Sequence, residues 1–154
     1  MRTLVISPCS AKKRGDVPAP ARAADLADPE RRRQAETRLA AFACPAIEMY
    51  TGTHHRLVVS GMRAVWESWG RHVLDLAILS GGYGLLPADQ VILPSAVTFD
   101  QFEDAEFAAW VARLEIPRRA AELVQQYDLV FYLLSGRYLA ALDLPLDVPG
   151  SVQQ

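Results

Sequence analysis

Leu4-Val5-Ile6-Ser7-Pro8-Cys9-Ser10-Ala11-Lys12-Lys13 joins a short apolar run to a small, polar, basic loop. The run is apolar without alternating, as in a strand buried on both faces. Two later stretches repeat the arrangement. They are Leu76-Ala77-Ile78-Leu79 into Ser80-Gly81-Gly82-Tyr83-Gly84, and Leu129-Val130-Phe131-Tyr132-Leu133-Leu134 into Ser135-Gly136-Arg137-Tyr138. Each loop is expected to open a helix. Strands alternating with helical segments imply βαβ crossovers. The expected fold is therefore α/β, one domain over residues 1–154, with a mostly parallel, Rossmann-like sheet flanked by helices. Parallel strands bring their C-terminal ends to one edge of the sheet. There the loops converge on a crevice, and helix N-termini offer free N–H groups to anions.

Outward from these runs, Gly15, Pro18 and Pro20 mark a long loop, with a short helical turn around Ala21–Ala27. Asp28 suits an N-cap and Pro29 the first turn of a helix through Glu30–Ala43. A helix from Thr53 to Gly70 follows, with Leu57, Gly61, Ala64, Val65 and Ser68 on its inner face. Strands are expected over Leu74–Leu79 and Asp128–Leu134, with weaker ones near Ala46–Tyr50 and Val91–Pro94. Helices are expected over Asp100–Leu114, Arg118–Gln126 and Tyr138–Leu142. Residues 145–154 suit a loop or a loose tail.

Composition bounds the class. About half the residues are apolar (51%), enough for a sizeable core. No apolar run approaches the ~20 residues of a membrane span, so no membrane partner is expected. The first residues lead straight into a strand rather than a signal peptide, which points to a cytoplasmic location. Cys9 and Cys44 form no disulfide framework or Cys-x-x-Cys pair. His54 and His55 are adjacent and chelate poorly, so neither a metal nor another cofactor is expected. The formal net charge of −2 disfavours tight non-specific binding to nucleic acid. Lys12-Lys13-Arg14 and Arg31-Arg32-Arg33 are nevertheless local basic clusters. The arginines at 31–33 suit a solvated helix face.

The loops carry the chemistry. In the first, Ser7 and Ser10 supply hydroxyls, Lys12 or Lys13 a charge for phosphate, and Cys9 a candidate nucleophile. The plainer alternative for Cys9 is a small core residue. In the second, Ser80, Gly81, Gly82, Tyr83 and Gly84 allow close backbone approach to a ligand, although a tight turn needs glycines equally. In the third, Ser135, Gly136, Arg137 and Tyr138 offer a guanidinium for bidentate contact. In Glu48-Met49-Tyr50-Thr51-Gly52-Thr53-His54-His55-Arg56, Tyr50 can stack on a base, Gly52 closes a turn, and Glu48 or His54 can act as acid or base. Asp100 is a further carboxylate of interest. The three tryptophans suit core positions.

At these residues the chain resembles the YaaA-like proteins, the peroxide-stress group and its bacterial and phage relatives. Ile6-Ser7-Pro8-Cys9-Ser10-Ala11-Lys12-Lys13 is similar to that family's N-terminal Ser-Cys-Ser-Lys-type loop. Pro45-Ala46-Ile47-Glu48-Met49-Tyr50-Thr51-Gly52 is similar to its Pro-Ala…Leu/Met-Tyr-Thr-Gly segment. Ile78–Leu86 is similar to its Ile-Leu-Ser-Ala-Lys-Tyr-Gly-Leu block, and Leu134–Tyr138 to its late Gly-x-x-Tyr element. The resemblance implies an α/β core and links to DNA binding or oxidative-stress protection, without one shared reaction. Gly81-Gly82 stands where many relatives have Ala-Lys. Pro94-Ser95-Ala96-Val97-Thr98 stands where many have Pro-Tyr-Asp-x-Thr.

The function expected is that of an enzyme acting on a nucleoside, nucleotide or modified nucleobase at its N-glycosidic bond, by hydrolysis or base exchange. Cys9, Glu48 and Asp100 are its candidate catalytic groups. Ser10, Lys12 and Arg137 would hold phosphate or ribose, and Tyr50 or Tyr83 would stack on the base. The alternatives are a nucleic-acid-binding protein without turnover and a small-molecule regulatory module. The partner is accordingly a nucleotide-like small molecule or nucleic acid. The oligomeric state is not legible.

Overall fold

The computed structural model describes residues 1–146. Its centre is a four-stranded sheet. Strand β1 (Thr3–Pro8) lies in the middle. Short elements precede the next strand of this sheet: α1 (Ala23–Ala27), α2 (Pro29–Leu39), β2 (Cys44–Pro45), α3 (Ala46–Met49) and α4 (Thr53–Trp69). Then come β3 (Leu74–Ser80), β4 (Gly84–Pro87) and β5 (Val91–Ile92). Helices α5 (Asp104–Arg113) and α6 (Ile116–Val124), strand β6 (Leu129–Tyr132) and α7 (Gly136–Ala140) complete the order. The sheet runs β4-β3-β1-β6. β1 is parallel to β3 and to β6, whereas β4 is antiparallel to β3. The expected α/β class with a mostly parallel sheet between helices is the one observed.

Side chains of β1 alternate between two layers. Leu4 and Ile6 pack with Leu26, Leu39, Phe99, Trp110 and Ile116. Val5 and Cys9 pack with Met49, Tyr50, Val59 and Met62. Both faces of the strand are covered, which is why its sequence is apolar throughout. β6 is an edge strand covered on one side only, and Phe131 is 49% exposed.

Several expectations change. The loop after β3 opens the β3–β4 hairpin rather than a helix, because Gly84 has a φ of +74° and turns the chain back. The loop after β1 runs on to Ala23 before any helix begins. Ala46–Met49 forms a helical turn instead of a strand, and the Val91–Ile92 strand pairs with β2, outside the main sheet. The inner face of α4 is His55, Val59 and Met62, while Leu57 is 69% exposed. Trp69, expected in the core, is 72% exposed. Asp28 does cap α2, accepting from the Arg31 N–H at 2.8 Å. Of the tail expected over 145–154, residues 147–154 lie outside the described residues.

Two glycines test this packing in opposite senses. A Cβ at Gly81 would lie 2.7 Å from the Val97 carbonyl oxygen and 2.8 Å from Thr98 Cα. Gly81→Ala is expected to cost about 1–3 kcal/mol in urea unfolding, through overpacking against rigid backbone. Gly61 sits in exposed α4 with open space around it. Gly61→Ala is expected to gain roughly 0.5–1 kcal/mol in the same assay.

Candidate functional site

Parallel pairing of β1 and β3 sets Pro8 opposite Leu79, and the Cys9 N–H continues the ladder to the Leu79 carbonyl at 2.9 Å. Cys9 therefore lies beside the turn that begins at Ser80. Its Sγ is 3.5 Å from the Gly81 N, which donates to it, and 3.2 Å from the Tyr138 hydroxyl. The ends of β1 and β3 and the helix after β6 thus meet at one buried sulfur. The three loops converge as parallel topology requires.

Around that sulfur lies a shell of phenols and hydroxyls. Tyr50 donates to Ser80 Oγ at 2.9 Å, and the same oxygen accepts from the Gly82 and Tyr83 N–H groups at 3.2 Å each. Burial pushes the Tyr50 and Tyr138 phenols up, with Cys9 beside both acting in the same direction. Burial also pushes Tyr83 up to about 12. All three phenols therefore stay protonated at neutral pH. Tyr83 donates to the Leu93 carbonyl at 3.0 Å. The Tyr138 ring lies 4.7 Å from that of Phe99. Trp110 donates to the Gly81 carbonyl at 2.7 Å and so fixes the turn that faces Cys9.

Lys13 forms a bridge with Tyr50, and its Nζ lies 5.9 Å from the Tyr50 ring centroid. Burial holds its ammonium below the ordinary lysine range, against the opposing pull of Cys9. Lys12 is exposed, and its carbonyl accepts from Ser10 Oγ at 2.7 Å and from the Thr51 N–H at 3.0 Å. Ser10 Oγ also accepts from the Gly52 N–H at 3.0 Å. Its hydroxyl thus ties the first loop to the start of α4 instead of facing a ligand. A Cβ at Gly52 would lie 2.6 Å from Ser10 Cβ, so this junction requires glycine. Ser7 is fully buried in β1, and its Oγ has no partner among the described residues.

The remaining candidates lie at the margins. Arg137, expected to hold phosphate, is paired with Asp104 at 2.8 Å and stacked on Phe107 at 4.9 Å. Ser135 and Gly136, exposed, begin α7, and Gly84 begins β4. Asp100 is exposed in the turn Phe99–Gln101, where its charge adds to the upward push on Tyr138. Glu48 is exposed on α3, 3.0 Å from Arg14. Arg31, Arg32 and Arg33 pair with Asp25, Glu36 and Glu30, the solvated face expected of them. Among the described residues no group of three or more His, Cys, Asp or Glu could hold a metal ion, and no helix is long and apolar enough to cross a membrane.

On the far side of Tyr50 lies an open groove of about 730 Å³. Arg14, Glu48, Tyr50 and Thr51 line it together with residues of α4. The sequence reading missed its basic wall on α4, Arg56 and Arg63. Their seven-residue spacing, two turns of one helix face, was the available signal. A second cavity of about 460 Å³ lies around Leu74, Asp75, Pro87 and Tyr127, at the opposite end of β3 from Ser80.

No family model matches this chain, and no curated protein or solved structure matches it.

His55 supplies a pH probe of the groove wall. It is 1% exposed, and its Nε2 lies 2.9 Å from the Ile47 carbonyl. Burial holds it below the ordinary histidine value, so the neutral ring donates from Nε2. The unfolded chain then binds a proton at a pH where the folded chain does not. Stability should fall as pH drops through about 6.5 and below, by at most about 1.4 kcal/mol per pH unit from this group. His55→Leu should flatten that part of the profile measured by urea unfolding between pH 7 and 5.

Proposed function

We propose that the protein is an enzyme of the nucleoside and nucleotide class, acting at the N-glycosidic bond of a substrate bound beside Tyr50. One observation carries this reading. Tyr50 connects the cluster at Cys9, through Ser80, to the groove that contains Glu48. The segments 6–13, 45–52, 78–86 and 134–138 carry the resemblance to YaaA-like proteins. Contacts among Cys9, Ser10, Lys13, Tyr50, Gly52, Ser80, Gly81 and Tyr138 link all four. That convergence supports membership of the chain in that family.

In this reading Glu48, oriented by Arg14, faces the anomeric carbon and takes a proton from an attacking water. The water oxygen bonds to that carbon, and the C–N bond breaks. The base leaves with the electron pair and takes up, by way of solvent, the proton that Glu48 removed from the water, which returns Glu48 to its carboxylate form. A carboxylate in this role stabilises oxocarbenium-like charge. Glu48 is favoured over Asp100 because it shares the groove with Tyr50, whereas Asp100 lies by Tyr138. Cys9, hydrogen-bonded on both sides and 9% exposed, is assigned a positioning role. It holds the Gly81 turn and Tyr138 together rather than attacking.

The test is base release from a panel of nucleosides and nucleotides, followed by chromatography. Glu48→Gln is expected to lower kcat by at least about 100-fold, within the range for a positioned acid–base group. Cys9→Ser should retain most of kcat while raising KM. If no panel member releases base, or Glu48→Gln is fully active, the assignment fails.

A further inference from the structure

Helix α4 presents Arg56, Ser60 and Arg63 to the groove, at spacings of four and three residues. Those spacings make neighbours on one helix face. Guanidinium, hydroxyl and guanidinium thus stand in a row, and all three can donate. Among the described residues neither Arg56 nor Arg63 is paired with a carboxylate. Every arginine on α2 from 31 to 33 is paired. Arg14 lies at the same groove and is already held by Glu48. The other carboxylate there is Glu67, one helical turn beyond Arg63 and not within salt-bridge distance of it. Burial keeps His55 in the wall neutral, so it adds no charge. The groove therefore holds two guanidiniums free to meet an outside anion, with a hydroxyl between them.

The sequence had placed phosphate recognition at Ser10, Lys12 and Arg137, and Lys12 is exposed but does not line the groove. Ser10 is taken up by Gly52 and the Lys12 carbonyl, and Arg137 gives Nη2 to Asp104 while its Nη1 is buried without a partner among the described residues.

We infer that Arg56, Ser60 and Arg63 form a phosphate-ester site, so that the substrate is phosphorylated rather than a free nucleoside. A guanidinium suits phosphate oxygens by geometry as well as charge, and two stand on this face about 10 Å apart along the helix axis. The inference rests on the reading of the groove as the substrate site and names which member of the nucleoside class it takes. The same chemistry is offered by a free 5′-nucleotide and by the backbone of a single strand.

The experiment is an NMR titration with the four common deoxynucleosides, their 5′-monophosphates and a ten-nucleotide single strand. In the unaltered protein at least one monophosphate should bind ten-fold or more tightly than its nucleoside, with shifts at the Arg56, Ser60 and Arg63 amides. Arg56→Gln/Arg63→Gln should abolish that preference, and Arg56→Lys/Arg63→Lys should keep part of it. Arg31→Gln/Arg33→Gln, on the paired face of α2, should leave it intact. Equal affinity for nucleosides and monophosphates, shifts mapping elsewhere, or an equal loss in the α2 variant would overturn the site. A strand bound ten-fold more tightly than any monophosphate identifies a polymeric substrate, and equal binding identifies the free nucleotide. Phosphate preference without base release would leave the site standing and sink the glycosidic reading. Base release indifferent to phosphate and to the Arg56/Arg63 change would do the reverse.

Discussion

The parallel register of β1 against β3 is the constraint from which the site follows. Pro8 opposite Leu79 puts Cys9 one step beyond the strand, level with the turn Ser80–Tyr83. A slip of one residue would turn Val5, Ser7 and Cys9 to the other layer, because side chains in a strand alternate. Burial on both faces forbids that slip. The backbone bond from Cys9 to Leu79 and the bond from the Gly81 N–H to the sulfur lock the two segments together. Trp110 holds the Gly81 carbonyl from the opposite layer, so the turn is fixed from both sides of the sheet.

From that junction the polar network spreads in two directions. Toward α7 it reaches Tyr138, whose ring packs at a tilt against Phe99. Toward α4 it passes through Ser80 to Tyr50 and on to the groove wall. Buried phenols are costly unless hydrogen-bonded, and here each has a partner. The network therefore gives rigidity to a region otherwise built from loops. Rigid support behind an open groove is the arrangement expected where a ligand must be held in one pose.

Much of this was legible in the sequence because its causes are local. β1 and β3 declare themselves as apolar runs, and Asp28-Pro29 announces α2. The convergence near Cys9, Gly81 and Tyr138 follows from parallel topology alone. What was not legible depends on tertiary choice. β4 is a four-residue strand hidden behind a glycine turn that could equally have opened a helix. The inner face of α4 was misassigned because Leu57 is apolar yet exposed. His55 is polar yet buried, its Nε2 held by a carbonyl of α3 and its Nδ1 without a partner among the described residues. Arg137 looked free until the fold set Asp104 beside it, and Ser10 until the fold brought Gly52 against it. Arg56 and Arg63 drew no notice because surface arginines on a helix are common. Their unpaired state, shared among the described residues with Arg22, Arg38, Arg71 and Arg113, gains meaning only from the fold, which sets both on one groove wall beside Tyr50 and Glu48.

The most direct check is a crystal structure of the protein soaked with a panel of nucleosides and nucleotides. The account predicts density along Tyr50 and Thr51, with the sugar beside Glu48. Ligand density confined to the cavity near Asp75 and Tyr127, at the opposite end of β3, would contradict it.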